Sequence, residues 1–169
     1  MLTNANKAIT TFTYNHLNLP TQVTMSSGNI SYIYDATGVK LEKMVTEGTA
    51  ITRTNYAGNY VYENDALQFF SQPEGYVEPK GLGWEYVFQY KDHLGNVRLS
   101  YKDISLTSTP SLQIVEENNY YPFGLEHKGY NNVVSANANS VAQKFKYNGK
   151  ERPLNMDFSL PLKSFFVPL

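Results

Sequence analysis

The sequence predicts an all-β chain built as an antiparallel meander of hairpins. Three observations predict it: runs of strict apolar and polar alternation, turn-forming residues at short intervals between them, and no convincing helical periodicity. The alternation is clearest where Trp84, Tyr86, Phe88 and Tyr90 fall on one face of a pleated strand, with Glu85, Val87, Gln89 and Lys91 on the other.

The elements follow in order. Strands are predicted over residues 11–15 and 21–25, separated by Asn and Leu-Pro residues. A hairpin runs through 30–34, turns at Asp35-Ala36-Thr37-Gly38 and returns over 39–45, where Val39, Leu41 and Val45 share a face opposite Lys40 and Glu42, and Lys43 interrupts that face. Residues 49–56 continue the meander after Glu47-Gly48. Residues 60–63 and 66–70 flank Asn64-Asp65, two residues that tolerate the positive φ of a tight hairpin. Segment 72–83 carries Pro73, Gly75, Pro79, Gly81 and Gly83 and is predicted as a loop. The aromatic strand 84–91 then turns through Asp92-His93-Leu94-Gly95-Asn96 into an alternating run over 97–102. Residues 131–140, rich in Asn, Ser and Ala, read as a second loop.

A short repeat underlies the first part. Tyr14-Asn15-His16-Leu17-Asn18-Leu19 and Tyr34-Asp35-Ala36-Thr37-Gly38-Val39 align, and Tyr56-Ala57-Gly58-Asn59 follows as a third copy. In each unit the Tyr ring is expected to pack on its neighbour, the Asn or Asp to bond its own backbone, and the Gly to take the positive φ. A unit of one hairpin cannot bury its own apolar face and has to stack on others, so two or three copies read as the end of a longer array.

Composition narrows the function classes. The chain has 169 residues, 14 Lys plus Arg against 15 Asp plus Glu, 3 His and no Cys. A net charge of -1 gives no electrostatic ground for a nucleic-acid or anionic-membrane partner. Without Cys there are no disulfides, thiol nucleophiles or thiolate-bound metals. The most apolar stretch, 158–169, is short and broken by Pro161, Lys163 and Pro168, so no transmembrane helix is expected. Nor does the Met-Leu-Thr-Asn-Ala-Asn-Lys start read as a signal peptide. His16, His93 and His127 are too scattered for a metal site, and no nucleotide-binding motif is present, because Gly81-Leu82-Gly83 opens a strand and lacks its third Gly. No metal and no cofactor are expected.

An ordered set of motifs carries a family resemblance: the units at Tyr14 and Tyr34, then Tyr90-Lys91-Asp92-His93-Leu94-Gly95-Asn96-Val97-Arg98, then Glu117-Asn118-Asn119-Tyr120-Tyr121-Pro122-Phe123-Gly124, then Tyr147-Asn148-Gly149-Lys150-Glu151. Together they resemble the Rhs repeat-associated core domain of the type common in Bacteroidetes proteins, preceded by its last YD repeats. The resemblance divides the chain into terminal YD-repeat-like hairpins over 1–71, the Gly/Pro loop 72–83, a core segment over 84–151 and an aberrant tail over 152–169. It implies a secreted or cell-surface polymorphic toxin or adhesin-like protein, whose repeats wind as a spiral β-sheet into a hollow shell around a C-terminal effector. Partners implied are the remainder of the shell and an effector or its immunity system. Many members release the effector by aspartyl autoproteolysis, with a pair of Asp downstream of the Asp-His-Leu-Gly-Asn-Val-Arg motif, and Arg98 matches the motif arginine. Here the tail lacks any Asp-Pro dipeptide and ends at Leu169, so the catalytic pair is missing and the chain reads as a truncated, non-catalytic segment.

The residues themselves agree with that reading. Asp35, Asp65 and Asp92 sit in predicted turns, where turn chemistry accounts for them; Asp103 ends a strand and Asp157 lies in the tail. Arg98 is expected to be exposed or paired on a strand. Glu116 and Glu117 point to opposite sides of a strand and read as solvated rim residues. The row Trp84, Tyr86, Phe88 and Tyr90 is expected to pack inside the sheet or shell, with a glycan-stacking platform as the alternative.

Overall fold

A computed structural model describes residues 9–106, 108–121, 127, 139–146 and 151. These form eleven strands hydrogen-bonded in chain order, each antiparallel to its neighbours in the registers described below: β1 Ile9–Tyr14, β2 Pro20–Met25, β3 Gly28–Tyr34, β4 Lys40–Glu47, β5 Ala50–Ala57, β6 Tyr60–Glu63, β7 Ala66–Gln72, β8 Gly75–Lys80, β9 Gly83–Lys91, β10 Val97–Asp103 and β11 Leu112–Glu117. A single 3-10 helix, Ala142–Phe145, is the one helical element among the described residues. The chain is therefore an all-β hairpin meander, as its alternation predicts. It divides into two compact units, the first ending at Leu67 and the second beginning at Gln68.

In the first unit the buried row crosses strands in register: Val23 opposes Ile30, and Ile30 opposes Val45. All three are buried, as are Ile9 and Val61, while Ile33 and Ile51 on the other face are exposed. Asn64 and Asp65 both take positive φ, 50° and 65°, which is the two-residue hairpin turn their identities predict. The apolar phase of β4 differs from expectation. Leu41 and Val39 are exposed, whereas Lys43 is buried beside Val45. The reason is a register shift between Ile33 and Tyr34: Ile33 opposes Glu42 but Tyr34 opposes Lys40, so Leu41 is an extra residue. Such a bulge shifts the alternation by one. Lys40 is thereby turned onto the face of Tyr32 and Tyr56, with its ammonium 5.2 and 5.4 Å from their ring centroids.

In the second unit, residues 72–83 are not a loop. They hold β8, whose Tyr76 and Glu78 oppose Val87 and Glu85 of β9. Gly75 and Pro79 conceal this strand in the sequence, yet each has its place. Gly75 lies so close to β9 that a Cβ there would fall 2.0 Å from the Val87 carbonyl oxygen. Pro79 lies beyond the register of β7, which pairs with Gly75, Tyr76 and Val77, so its missing N–H interrupts no bond on that side. The unit's core joins Phe69, Tyr76, Val87 and Val97 to Val141 and Ala142, all buried. Phe69 meets Tyr76 and Phe145 edge-on, each at 5.5 Å between centroids.

The aromatic row of β9 also departs from expectation. Trp84, Tyr86 and Tyr90 are 63%, 45% and 67% exposed, while Val87 on the other face is 1% exposed. The rings instead contact one another along the surface: Phe70 against Trp84, Tyr86 against Phe88, and Phe88 against Tyr101, at 5.7, 5.2 and 5.6 Å. Alternation separates two faces but does not say which is covered. Here the covered face is the one that receives residues 139–145, anchored where Asn139 Nδ2 donates to the Gln68 carbonyl at 3.0 Å.

Candidate functional site

Three turns share one geometry. Asn15, Asp35 and Asp92 each accept, on the side-chain Oδ1, the N–H of the residue two positions on, at 2.9, 2.8 and 2.9 Å, and of the residue four positions on, at 3.0, 2.9 and 3.0 Å. The backbone closes the same loop in each, from Asn15 N to Leu19 O, Asp35 N to Val39 O, and Asp92 N to Asn96 O. The residue three positions on takes positive φ: Asn18 at 58°, Gly38 at 91° and Gly95 at 80°. Only Gly, or Asn with its short polar side chain, adopts that conformation readily. The third copy of the repeat is accordingly at Asp92. Tyr56 leads instead into a two-residue turn at Gly58-Asn59, because Ala57 has no side-chain oxygen to organise the longer one. The Tyr34 hydroxyl donates to the Pro20 carbonyl at 2.9 Å, and burial pushes that hydroxyl up to about 12.

The Asp92 turn carries an additional layer. Asp92 Oδ2 accepts from Asn96 Nδ2 at 3.0 Å and from Arg98 Nε and Nη2 at 2.9 and 2.7 Å. The guanidinium in turn lies 5.1 Å from the Tyr120 ring centroid, and the Tyr120 hydroxyl donates to the Val97 carbonyl at 3.2 Å. Desolvation alone would raise the Asp92 carboxyl, but the bonds from Asn96, Arg98 and Leu94 outweigh it and hold it down at about 2. Both oxygens are thus occupied by donors in an ionised group. This is a strut between motifs, and it leaves Asp92 no free lone pair for general-base work.

Of the residues singled out from the sequence, the structure brings Asp92, Gly95, Asn96, Arg98 and Tyr120 together. His93 stands exposed at the tip of the turn, and Tyr121 is exposed and stacked on His127 at 3.7 Å. Tyr14, Tyr34, Asp35 and Gly38 form the first-unit turns. Pro122, Phe123, Gly124, Tyr147, Asn148 and Gly149, the tail 152–169 and most of 131–140 lie outside the described residues.

Two buried polar clusters escaped sequence reasoning. Glu78 and Glu85 are cross-strand partners, and Lys102 Nζ donates to Glu85 Oε2 at 2.8 Å, with Lys80 3.5 Å away. Burial raises the Glu78 carboxyl, and the neighbouring Glu85 charge adds to that. Desolvation of Glu85 is outweighed by Lys102 and Lys80, and its carboxyl is lowered. The two cross-strand acids are thus pushed in opposite directions, Glu78 toward its protonated form and Glu85 toward its ionised form. In the second cluster Glu116 is buried against Lys146, not solvated at a rim. The only signal available was the two-residue spacing of Glu116 and Asn118; Lys146 comes from far along the chain. Among the described residues no three His, Cys, Asp or Glu side chains group as a metal site.

This arrangement has counterparts among solved structures. Its fold is shared with Tc toxin chains. The crystal structure of TcdB2-TccC3-TEV matches 87% of this chain with a TM-score of 0.60 at 18% identity, and that of TcdB2-TccC3 without its hypervariable C-terminal region matches 86% with 0.58 at 18%. The Photorhabdus luminescens Tc holotoxin pore carrying a TccC3 mutation matches 85% with 0.52 at 19%. In each case this chain spans 8% of the neighbour's length. No family model and no curated protein matches the chain.

Proposed function

We propose that this chain is a non-catalytic structural segment of an Rhs/YD-repeat shell, in a toxin or cell-surface protein exported from the cell, and that it forms part of the wall around a C-terminal effector. The observation that carries this reading is the recurrence of one Asx-stapled turn at Asn15, Asp35 and Asp92 in a sheet whose strands follow chain order. Such a sheet grows by adding hairpins, and the outer strands β1 and β11 are where neighbouring repeats would pair. The Tc toxin likeness supports the fold that this reading needs. Aspartyl self-processing has less support, since Arg98, the residue that matches the motif arginine, is paired with Asp92 of its own turn. The complete gene product provides the test. If it encloses an effector, electron microscopy shows a hollow particle, and the sequence beyond Glu151 resists protease until the particle is denatured. Equal cleavage of that sequence in native and denatured protein would overturn the proposal.

A second reading, a glycan-binding face, is favoured by the exposed rings of Trp84, Tyr86 and Tyr90. It predicts retardation in gels cast with neutral polysaccharides and loss of that retardation in Trp84→Ala. Unchanged mobility across the panel sets the reading aside.

A further inference from the structure

Glu116 and Asn118 lie two residues apart at the end of β11, and Tyr120 follows at the same spacing. All three are buried, and Lys146 reaches both Glu116 and Asn118. Lys146 is delivered to this site by the chain leaving the 3-10 helix, where its carbonyl accepts the Val97 N–H at 2.8 Å. Its side chain is 11% exposed, and its Nζ contacts Glu116 Oε1 and stands 3.4 Å from Asn118 Oδ1. Asn118 is 1% exposed, and its Nδ2 is a buried donor with no hydrogen-bond partner among the described residues. A buried Lys–Glu pair accounts for itself, but an orphaned amide nitrogen beside it is costly and unexplained by folding alone.

We propose that Lys146, Asn118 and Glu116 form a self-reacting triad that joins the Lys146 and Asn118 side chains by an isopeptide bond. Burial disfavours separated charges, so the Lys146 ammonium can pass a proton to Glu116 and become a neutral amine. The Nζ lone pair attacks Asn118 Cγ while the Glu116 carboxylic acid donates to Oδ1. Glu116 then carries a proton from Nζ to Nδ2. The Nζ–Cγ bond is made, the Cγ–Nδ2 bond breaks, and ammonia leaves. Glu116 is regenerated, and no oxidant, reductant or further reactant is needed. The orphaned Nδ2 is the leaving group. The product fixes the residues after the 3-10 helix covalently to the end of β11, and it does so whether or not the shell reading holds. Lys102 offers no equivalent: the acyl groups beside it are the carboxylates of Glu85 and Glu78, which would release water.

The test is the intact mass of the full 169-residue chain with a peptide map. The expected mass is that of the sequence less one ammonia, with a branched peptide linking residues 118 and 146. Lys146→Arg keeps a cation beside Glu116 but removes the nucleophile, and Glu116→Gln keeps the shape but removes the proton carrier; both are expected at full mass. Full mass in the unsubstituted chain overturns the proposal. So does loss of water, which would join a lysine to a carboxylate, and so does ammonia loss that persists in Lys146→Arg, which would mark a succinimide such as Asn148-Gly149 forms.

Discussion

The turns at Asp35 and Asp92 are the same local structure put to different uses. Both close through Oδ1 on two backbone N–H groups, and both place Gly at the positive-φ position. At Asp35 the remaining bond is local, from the Thr37 hydroxyl at 2.7 Å to the same oxygen. At Asp92 the second oxygen reaches out of the turn to Asn96 and Arg98, and through Arg98 to Tyr120. The first turn fixes the path of one hairpin. The second ties its hairpin to the segment that follows β11, so a motif that began as turn chemistry has become a tertiary contact.

Substituting the two carboxyls should separate these roles. Asp92→Ala strands two backbone donors, the Asn96 amide and a half-buried guanidinium, and is expected to lower stability by about 2 kcal/mol. Asp35→Ala removes bonds that water can replace in an exposed turn, so its loss is expected to be clearly smaller. Arg98→Ala should recover most of the difference, since it removes the outward arm and leaves the turn intact. Urea denaturation followed by tyrosine and tryptophan fluorescence measures all three. Equal losses for Asp92→Ala and Asp35→Ala would mean that the Arg98 arm contributes nothing and the two turns are energetically alike.

How much of this was legible in the sequence depends on the range of the interaction. The hairpins, the Asn64-Asp65 turn and the stapled turn at Asp35 follow from residues a few positions apart, whose conformational preferences act locally. The strand β8 was hidden because Gly75 and Pro79 read as breakers, and only the closeness of β9 and the short reach of β7 show why they are tolerated. Which face of β9 is covered could not be read at all. An aromatic row and a row of Glu85, Val87 and Gln89 are equally regular, and the choice is made by residues 139–145, some fifty positions later. A separation of 30 residues likewise concealed the Glu116 site, whose partner is Lys146. Leu41 shows a subtler limit, since the bulge there takes it and Val39 off the buried face that Lys43 and Val45 keep, where strict alternation would have left all four together.

Acid and base should act on the two carboxyl systems in opposite directions, which gives the finer test of the comparison. Asp92 has a folded-state value of about 2, below its ordinary 3.8, so the folded chain prefers it ionised. Its contribution is present above pH 4 or so and is lost as pH falls toward 2. Asp35 is lowered as well, first by the Thr37 hydroxyl and then by the Val39 N–H, so it loses stability in the same acid direction. Glu78 is raised above 4.5 by burial and by Glu85, so the folded chain prefers it protonated. That contribution is present below its ordinary value and is lost as pH rises through the raised one. The urea midpoint of the chain is therefore expected to fall on both sides of a mildly acidic maximum. Glu78→Gln keeps a hydrogen-bonding side chain without the titration, and should flatten the alkaline side while leaving the acid side unchanged. A variant in which both limbs persist would place the alkaline loss elsewhere, and would leave Asp92 and Asp35 as the groups whose titration the stability profile reports.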